Sequence, residues 1–548
     1  MSERNEVVSA SAWMALGTIV SRLTGFGRAL LLIAAIGTSL NADVFNNANS
    51  IPTALYILVA GGIFNVVLVP QLVRAMRYDE DGGDAYANRV ITLGIVVLAI
   101  ATIILIAIVP LLMRVVFASS FFAPELQPAR ESAYLLMVVC MPQVFFYGVF
   151  VLVGQILNAR KWFGPMMWAP ILNNVVAGTV LVAFLAIYGS TNGTGGFTVN
   201  QGLILGLGST LGIALQAAVL IPYLRKADFH YRPRFDFRGV GLGHTLRLGA
   251  WTFLFIVANQ IAFIVILKIG TRATTEAALE GGRGAGSAVY EFGFLISQVP
   301  HGIITVSLAT AIMPTLSALA AEKQWPAVQD EISRTLRIAL AVIAPIAVAV
   351  AFLGQSAATV TTSYGKMSGN TELIGHTIMA FAPAMIFFPV QYLMLRGFYA
   401  TENTRTPFFI QVVIAATNIG FAVFLTSLVG TELVSTMLAL SYGAAYLIGS
   451  TLSVLLLSRI IGPVFDRRVA IFLPKLVVAC ACAAATMLAV IWGLDSQNVG
   501  TGSVKGAFIT LVTAGPVGAV TYLIAARLVG LREIGSVIDT VIRRRRSA

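Results

Sequence analysis

The sequence from Val90 to Met113 reads V-I-T-L-G-I-V-V-L-A-I-A-T-I-I-L-I-A-I-V-P-L-L-M, a run of 24 residues without a charge. A helix of that length rises about 36 Å, which is enough to cross a hydrocarbon core of about 30 Å. Similar apolar runs recur along the whole chain of 548 residues. The sequence therefore predicts an all-α protein that crosses a membrane many times.

Composition excludes a soluble enzyme. Hydrophobic residues make up 57% of the chain and charged residues 11%, whereas a soluble protein carries roughly 25% charged residues. Arg22 and Arg28 interrupt the first apolar segment, and a small-residue cleavage site is lacking at the expected distance, which argues against a cleaved signal peptide. Cys140, Cys480 and Cys482 all lie in apolar segments, where we interpret them as packing residues.

Apolar runs and charge together predict about fourteen transmembrane helices. Lys and Arg collect on the cytoplasmic side of membrane proteins. With the N-terminus inside, 27 of the 36 Lys and Arg residues fall in cytoplasmic segments and 7 in external loops, and the two arginines of helix 1 remain. The bias predicts a multi-pass membrane protein with both termini cytoplasmic. The predicted spans are 9–36, 44–74, 89–117, 131–157, 164–188, 199–224, 243–271, 284–319, 333–354, 371–400, 405–428, 432–461, 468–494 and 504–529.

This topology explains the net charge of +12 without nucleic acid. The basic loop 225–242 and the tail Arg543–Arg546 fall where anionic lipid headgroups lie. Membrane lipids are therefore expected contacts of both segments, with docking of a protein partner as the alternative.

An internal repeat predicts the domain organisation. Pro-containing motifs of helix 2 (Asn47–Pro52 and Val69–Leu72) recur in helix 8 (Ser297–Pro300 and Met313–Leu316). The junction of helices 4 and 5, Gly154–Pro165, likewise resembles Gly397–Pro407 between helices 10 and 11. An even offset is typical of parallel repeats, although Pro and Gly are common in membrane helices anyway. We predict an N-lobe at 1–228, a C-lobe at 229–462, helices 13 and 14 at 463–530, and a basic tail at 531–548.

Arg22 and Arg28 are the sharpest functional signal. A charged side chain near the bilayer centre costs roughly 2.5–3.5 kcal/mol, so such residues usually face a cavity. A bend near Gly25 and Gly27 would turn both arginines toward one cavity, where guanidinium groups suit a diphosphate. The alternative is that they cap backbone carbonyls or reach a membrane interface.

Other intramembrane polar residues are weaker candidates. Asn49 on helix 2 offers neutral hydrogen bonds to a cavity, or else packs helices together. Glu291, Gln298 and His301 on helix 8 serve either a coupling ion or a structural role. Gly281–Gly286 lacks the Lys-Ser/Thr of a phosphate loop, and no metal-ligand or catalytic-triad spacing stands out, so we expect a transporter rather than an enzyme.

The segment Ser21–Arg28 (S-R-L-T-G-F-G-R) resembles the opening motif of the MurJ (MviN) family. Further similarities are Asp43-Val44-Phe45, Ile156-Leu157-Asn158, Ala169–Asn173, Met313–Ser317 and Phe398-Tyr399-Ala400. Ala29 replaces an acid common in the family, and Leu295 and Gln298 replace charged residues of helix 8, which is similar to actinobacterial members.

The resemblance implies the fold of the multidrug/oligosaccharidyl-lipid/polysaccharide exporter superfamily. It also implies outward flipping of lipid II, the undecaprenyl-diphosphate-linked peptidoglycan precursor, by alternating access in the bacterial inner membrane. The substrate-binding residues that the resemblance suggests are Arg22, Arg28 and Asp43. The polar residues inside the predicted spans add Asn49, Glu291 and Gln298 as candidates. No cofactor is expected, and the membrane potential or a coupling cation would supply the energy.

Two other functions stay open at this point. The chain could export another polyprenyl-linked glycan or a drug, although a drug exporter would favour acidic cavity residues. It could also be a degenerate transporter that acts as a scaffold for wall-synthesis proteins, because charge is sparse in helices 2 and 8.

Overall fold

The structure is a computed structural model that describes residues 2–58, 75, 81, 83–236, 242–363, 370–497, 499 and 502–535, with the side chains of 2–15 and 242–249 excepted. All regular secondary structure in these ranges is helical. The chain divides into two compact units, Met1–Ser287 and Ala288–Ala548. The motif Val69–Leu72 and the tail Arg543–Arg546 lie outside the described residues.

Ten α-helices are described in the first unit. They are α1 (Ser2–Ile36), α2 (Leu40–Ile57), α3 (Asp84–Ala107), α4 (Val109–Val116), α5 (Gln127–Cys140), α6 (Gln143–Ala159), α7 (Gly164–Tyr188), α8 (Val199–Ala218), α9 (Ile221–Lys226) and α10 (Leu242–Glu280). Two short 3₁₀ turns, Ser119–Phe122 and Pro124–Leu126, precede α5. The helix α1 packs along α7, which also packs against α8, while α3 packs against α6.

The second unit continues the helical pattern. The pairs α16–α17, α15–α17 and α18–α19 form its most extensive packing, and α13 packs against α14 and α19. A π-helical turn at His301–Thr305 follows Pro300 and separates the first two helices. The helices are α11 (Ser287–Pro300), α12 (Val306–Ala321), α13 (Trp325–Thr362), α14 (Thr371–Ala380), α15 (Ala382–Ala400), α16 (Arg405–Thr426), α17 (Val434–Ile461), α18 (Arg467–Ser496) and α19 (Val504–Leu528).

Thirteen stretches of described helix are long and apolar enough to cross a membrane. They coincide with thirteen of the predicted spans. The remaining predicted span, 44–74, begins within α2 and then leaves the described residues. The prediction of an all-α membrane protein with about fourteen helices is thus confirmed, whereas the lobe boundaries stay a prediction.

Small residues allow the helices of the first unit to approach closely. A Cβ on Gly94 of α3 would lie 2.5 Å from a methyl carbon of Leu152, and one on Gly148 of α6 would lie 2.3 Å from a methyl carbon of Leu98. Each helix therefore offers a glycine gap to a leucine of the other. Such contacts suit a membrane, where van der Waals packing rather than the hydrophobic effect joins helices.

Four helices end in the same strained turn. Lys161, Asp228, Lys323 and Glu402 have φ angles between 53° and 65°, which glycine normally adopts. After α6, Lys161 N–H donates to the Asn158 carbonyl and Trp162 N–H to Leu157; after α15, Glu402 and Asn403 repeat these two bonds. The junctions noted as a sequence repeat thus share one backbone geometry.

Candidate functional site

A cavity of about 100 Å³ lies within the first unit, among α1, α2, α6, α7 and α8. Its volume has room for several water-sized groups. Polar side chains from all five helices reach its wall, although the helices are mostly apolar. The lining residues are Arg28, Leu32, Phe45, Asn46, Asn49, Thr53, Gln143, Tyr147, Asn173, Ala177, Val180, Leu181, Leu205, Ser209 and Ile213.

Arg28 is the one cation among these lining residues. It shares a helix face with Leu32, four residues on, which lines the same cavity. Neither Asp nor Glu occurs among the described lining residues. The cavity therefore has a positive charge that no wall residue neutralises.

Arg22 is not among the residues that line this cavity. Both arginine side chains are exposed, and α1 continues as one helix past Gly25 and Gly27. A separation of six residues leaves two side chains about 120° apart on a regular helix. Asn174 Nδ2 of α7 donates to the Ser21 carbonyl over 3.0 Å and to Thr24 Oγ1 over 3.1 Å, and so fixes the face that α1 presents.

A neutral hydrogen-bond network supports the part of the wall that α2, α6 and α8 form. Gln143 Nε2 donates to Asn49 Oδ1 at 3.1 Å and to Thr210 Oγ1 at 3.4 Å. Asn49 Nδ2 donates to the Phe45 carbonyl, while Thr53 Oγ1 donates to the Asn49 carbonyl, both over 3.1 Å. These bonds hold Asn49 in a defined orientation at the cavity wall.

Several cavity residues were not predicted as site residues. Tyr147 stacks on Tyr56 with ring centroids 4.6 Å apart and lines the same cavity as Arg28. Gln143 and Ser209 also belong to this set. Each of these residues is a polar residue inside an apolar run, and this feature could have been used to predict a site within the membrane.

Asp43 lies in a buried network rather than in the cavity wall. The carboxylate is fully buried and accepts hydrogen bonds from Thr274 Oγ1 at 2.6 Å and from the Ser287 N–H at 3.1 Å. A Cβ on Gly286 would lie 2.0 Å from Asp43 Oδ2. Asp43 therefore ties the start of α2 to α10 and to Ser287, the last residue of the first unit.

Glu291 and Gln298 belong to the second unit, where both are half-buried on α11. Seven residues separate them, so they share one helix face. The nearby His301 is buried in the π-helical turn, with its ring 4.4 Å from Phe388 and 4.9 Å from Tyr392. Of the predicted site residues, the cavity of the first unit brings together Arg28 and Asn49.

The cavity suits an anion that carries several oxygen atoms. Arginine presents a fork of N–H groups to phosphate or carboxylate. Asn49 Nδ2 uses one N–H group on the Phe45 carbonyl and can donate the other to an anion without adding negative charge. Among the described residues, no group of three or more His, Cys, Asp and Glu side chains is placed to hold a metal ion.

Comparison with known proteins gives a consistent result. The family model described as "Lipid II flippase MurJ" matches residues 32–513. The probable lipid II flippase MurJ of Haemophilus influenzae is 26% identical over 498 residues, which cover 87% of this chain and 90% of that protein. The lipid II flippase MurJ of Burkholderia cenocepacia is 26% identical over 419 residues, which cover 74% and 76% of the two chains.

Solved structures agree on the fold. A lipid II flippase MurJ in an inward closed conformation superposes with a TM-score of 0.71 at 19% identity, covering 94% of this chain and 98% of that one. An inward-facing multidrug resistance MATE transporter of the MOP superfamily superposes with a TM-score of 0.61 at 15% identity, covering 81% and 99%. The chain is a multi-pass inner-membrane protein, and the family match over most of its length shows that it belongs to the MurJ family of lipid II flippases.

Proposed function

We propose that this protein moves lipid II from the inner to the outer leaflet by alternating access, and that the cavity around Arg28 contacts the diphosphate. The observation that carries the site assignment is a single cation among neutral donors, without a carboxylate in the described wall. A diphosphate has several oxygens and a dense negative charge, so it gains from both kinds of group. Asn49 is the second contact of this subsite.

The cavity in the first unit accounts for the diphosphate alone. Its volume of about 100 Å³ suits a small group rather than a complete disaccharide-peptide. We assign Glu291 and Gln298 to another part of the headgroup on the basis of their shared face on α11. Asp43 acts indirectly, because its carboxylate is occupied by Thr274 and Ser287.

The membrane potential is the energy source that the charge of the substrate favours. An inside-negative potential drives an anion outward, by about 2.3 kcal/mol per charge at 100 mV. Proteoliposomes with a valinomycin-controlled potassium gradient test this: transport should rise with an inside-negative potential. A rate that follows a sodium or proton gradient at zero potential would instead identify a coupling cation.

We propose that both termini are cytoplasmic. The support is the distribution of Lys and Arg, 27 against 7 between the two sides. Reporter fusions should place residue 232 inside and residue 193 outside. The opposite result at both positions would contradict this orientation.

Leaflet-resolved measurement of lipid II in depleted cells tests the function itself. Depletion should increase the inner-leaflet fraction, and re-expression of the protein should reverse the increase. Normal lipid II distribution combined with a wall defect would instead favour a scaffold for wall-synthesis proteins. Normal lipid II and accumulation of another polyprenyl-linked glycan would indicate export of that glycan.

A further inference from the structure

An extended segment, Phe229–Asp236, crosses the first three turns of α3, and we call it the 229–236 strap. The Arg232 N–H donates to Asn88 Oδ1 at 2.7 Å, and the Arg234 N–H donates to Thr92 Oγ1 at 3.0 Å. Both acceptors are buried. Backbone groups, rather than the arginine side chains, therefore hold the strap on α3.

Side-chain bonds fasten both ends of the strap. Arg160 at the end of α6 donates to the Ala227 carbonyl over 2.6 Å. At the other end, Arg89 pairs with Asp236 at 2.8 Å. The hydrogen bond from Arg89 lowers the pKa of Asp236 below its usual value. This ion pair is formed above the usual Asp pKa and is lost only as the pH falls through the lowered value.

The fixed backbone presents exposed cations. Arg232 and Arg234 are two residues apart and therefore lie on the same side of the extended strap. Arg225 and Lys226, which directly precede the strap, are also exposed. Such a cluster of Lys and Arg beside a membrane helix is typical of a surface that binds anionic headgroups.

Aromatic residues accompany these cations. Phe235 is 70% exposed, and Trp162 and Phe163 in the neighbouring turn are 38% and 41% exposed. Tyr223 joins the two groups, because it contacts Trp162 and also lies under Lys226. Aromatic rings with exposed edges are enriched at the level of lipid headgroups.

The length of α3 indicates that the strap lies near the level of those headgroups. The helix α3 has 24 residues and so rises about 36 Å, roughly 6 Å more than a hydrocarbon core. Its charged first residue, Asp84, is expected at the end that meets water. Asn88 and Thr92 place the strap within the first three turns from that end.

We propose that the 229–236 strap, together with Arg225 and Lys226, is a preformed binding surface for anionic phospholipid headgroups. The cations contact the phosphates, while Phe235 and Trp162 lie among the glycerol and upper acyl groups. A lipid surface fits better than an acidic peptide, because the aromatic residues and the cations lie together at the membrane boundary. This surface is separate from the cavity around Arg28 and does not depend on which substrate is transported.

Lipid binding to the purified full chain tests the proposal. Intact-protein mass spectrometry, with phosphatidylglycerol or phosphatidylcholine added to the detergent, gives the preference for the first bound lipid. R232Q/R234Q keeps the backbone bonds and removes two charges, and should lower the phosphatidylglycerol preference about 30-fold. The matched control K323Q/R334Q removes two exposed cations of the second unit and should leave the preference within about twofold.

An unchanged preference in R232Q/R234Q overturns the proposal, provided that its melting temperature matches that of the wild type. An equal loss in K323Q/R334Q also overturns it, because net charge would then explain the binding. A poly-glutamate peptide serves as the probe for protein docking. If the wild type binds this peptide, and R232Q/R234Q loses that binding but keeps its lipid preference, the surface is assigned to an acidic protein partner.

Discussion

Replacement of Arg28 by alanine removes the one cation from the described cavity wall. A hydrogen bond to a charged group contributes about 1.5–3 kcal/mol. Two such bonds to a diphosphate therefore contribute at least about 3 kcal/mol, and a factor of ten in affinity corresponds to about 1.4 kcal/mol. We expect Arg28→Ala to weaken lipid II binding by about 100-fold or more and to abolish complementation in depleted cells.

Two further variants separate the contribution of the charge from that of its position. Arg28→Lys keeps the charge and loses the planar fork, so about a tenfold loss and partial complementation are expected. Arg22→Ala removes the same charge from the same helix but outside the cavity wall, and should have less than about a threefold effect on affinity. Binding of purified protein to lipid II, with membrane insertion checked by immunoblot, provides the measurement. If Arg28→Ala binds normally, or if Arg22→Ala is equally impaired, the cavity is not the diphosphate site.

Two further predictions concern stability. Gly286→Ala would place a Cβ against the Asp43 carboxylate and should destabilise the folded protein by about 1–3 kcal/mol. The control Gly282→Ala lies in the same loop with open space around it and should change the melting temperature little. Equal melting temperatures of the two variants would contradict the close contact. Glu402→Gly relieves a left-handed backbone conformation and should raise the free energy of unfolding by about 1 kcal/mol. Gly462→Ala introduces a side chain at a φ of 96° and should lower the free energy of unfolding. Unfolding in mixed SDS micelles measures both changes.

Much of the fold could be predicted because each span carries its own signal. A run such as Val90–Met113 must be helical in lipid, since its backbone groups can bond only within the segment. The Lys and Arg distribution then fixed the count. The breaks inside spans were harder to predict: α5 ends at Cys140 and α6 begins at Gln143, although apolar residues continue across the break.

The site was predictable at Arg28 and less so elsewhere. A cation in a span has a large cost, which restricts its surroundings. The carboxylate of Asp43 is also costly to bury, so it must have polar partners. Those partners, Thr274 and Ser287, lie more than 230 residues away in the sequence. Sequence alone therefore could not distinguish a buried structural carboxylate from a substrate contact. Gln143 was missed because its importance comes from Asn49 and Thr210, which only the folded chain brings within reach.

The tight turns at Lys161 and Glu402 constrain how the chain is synthesised into a membrane. Four residues separate α6 from α7, and four separate α15 from α16, a reach of at most about 14 Å. That distance is less than half of the thickness of a bilayer core. The end of the first helix and the start of the second must therefore lie on the same side of the membrane in each pair. The two helices of each pair must therefore run through the bilayer in opposite directions. A charge change at Arg160 or Lys161 that inverts α6 must invert α7 as well.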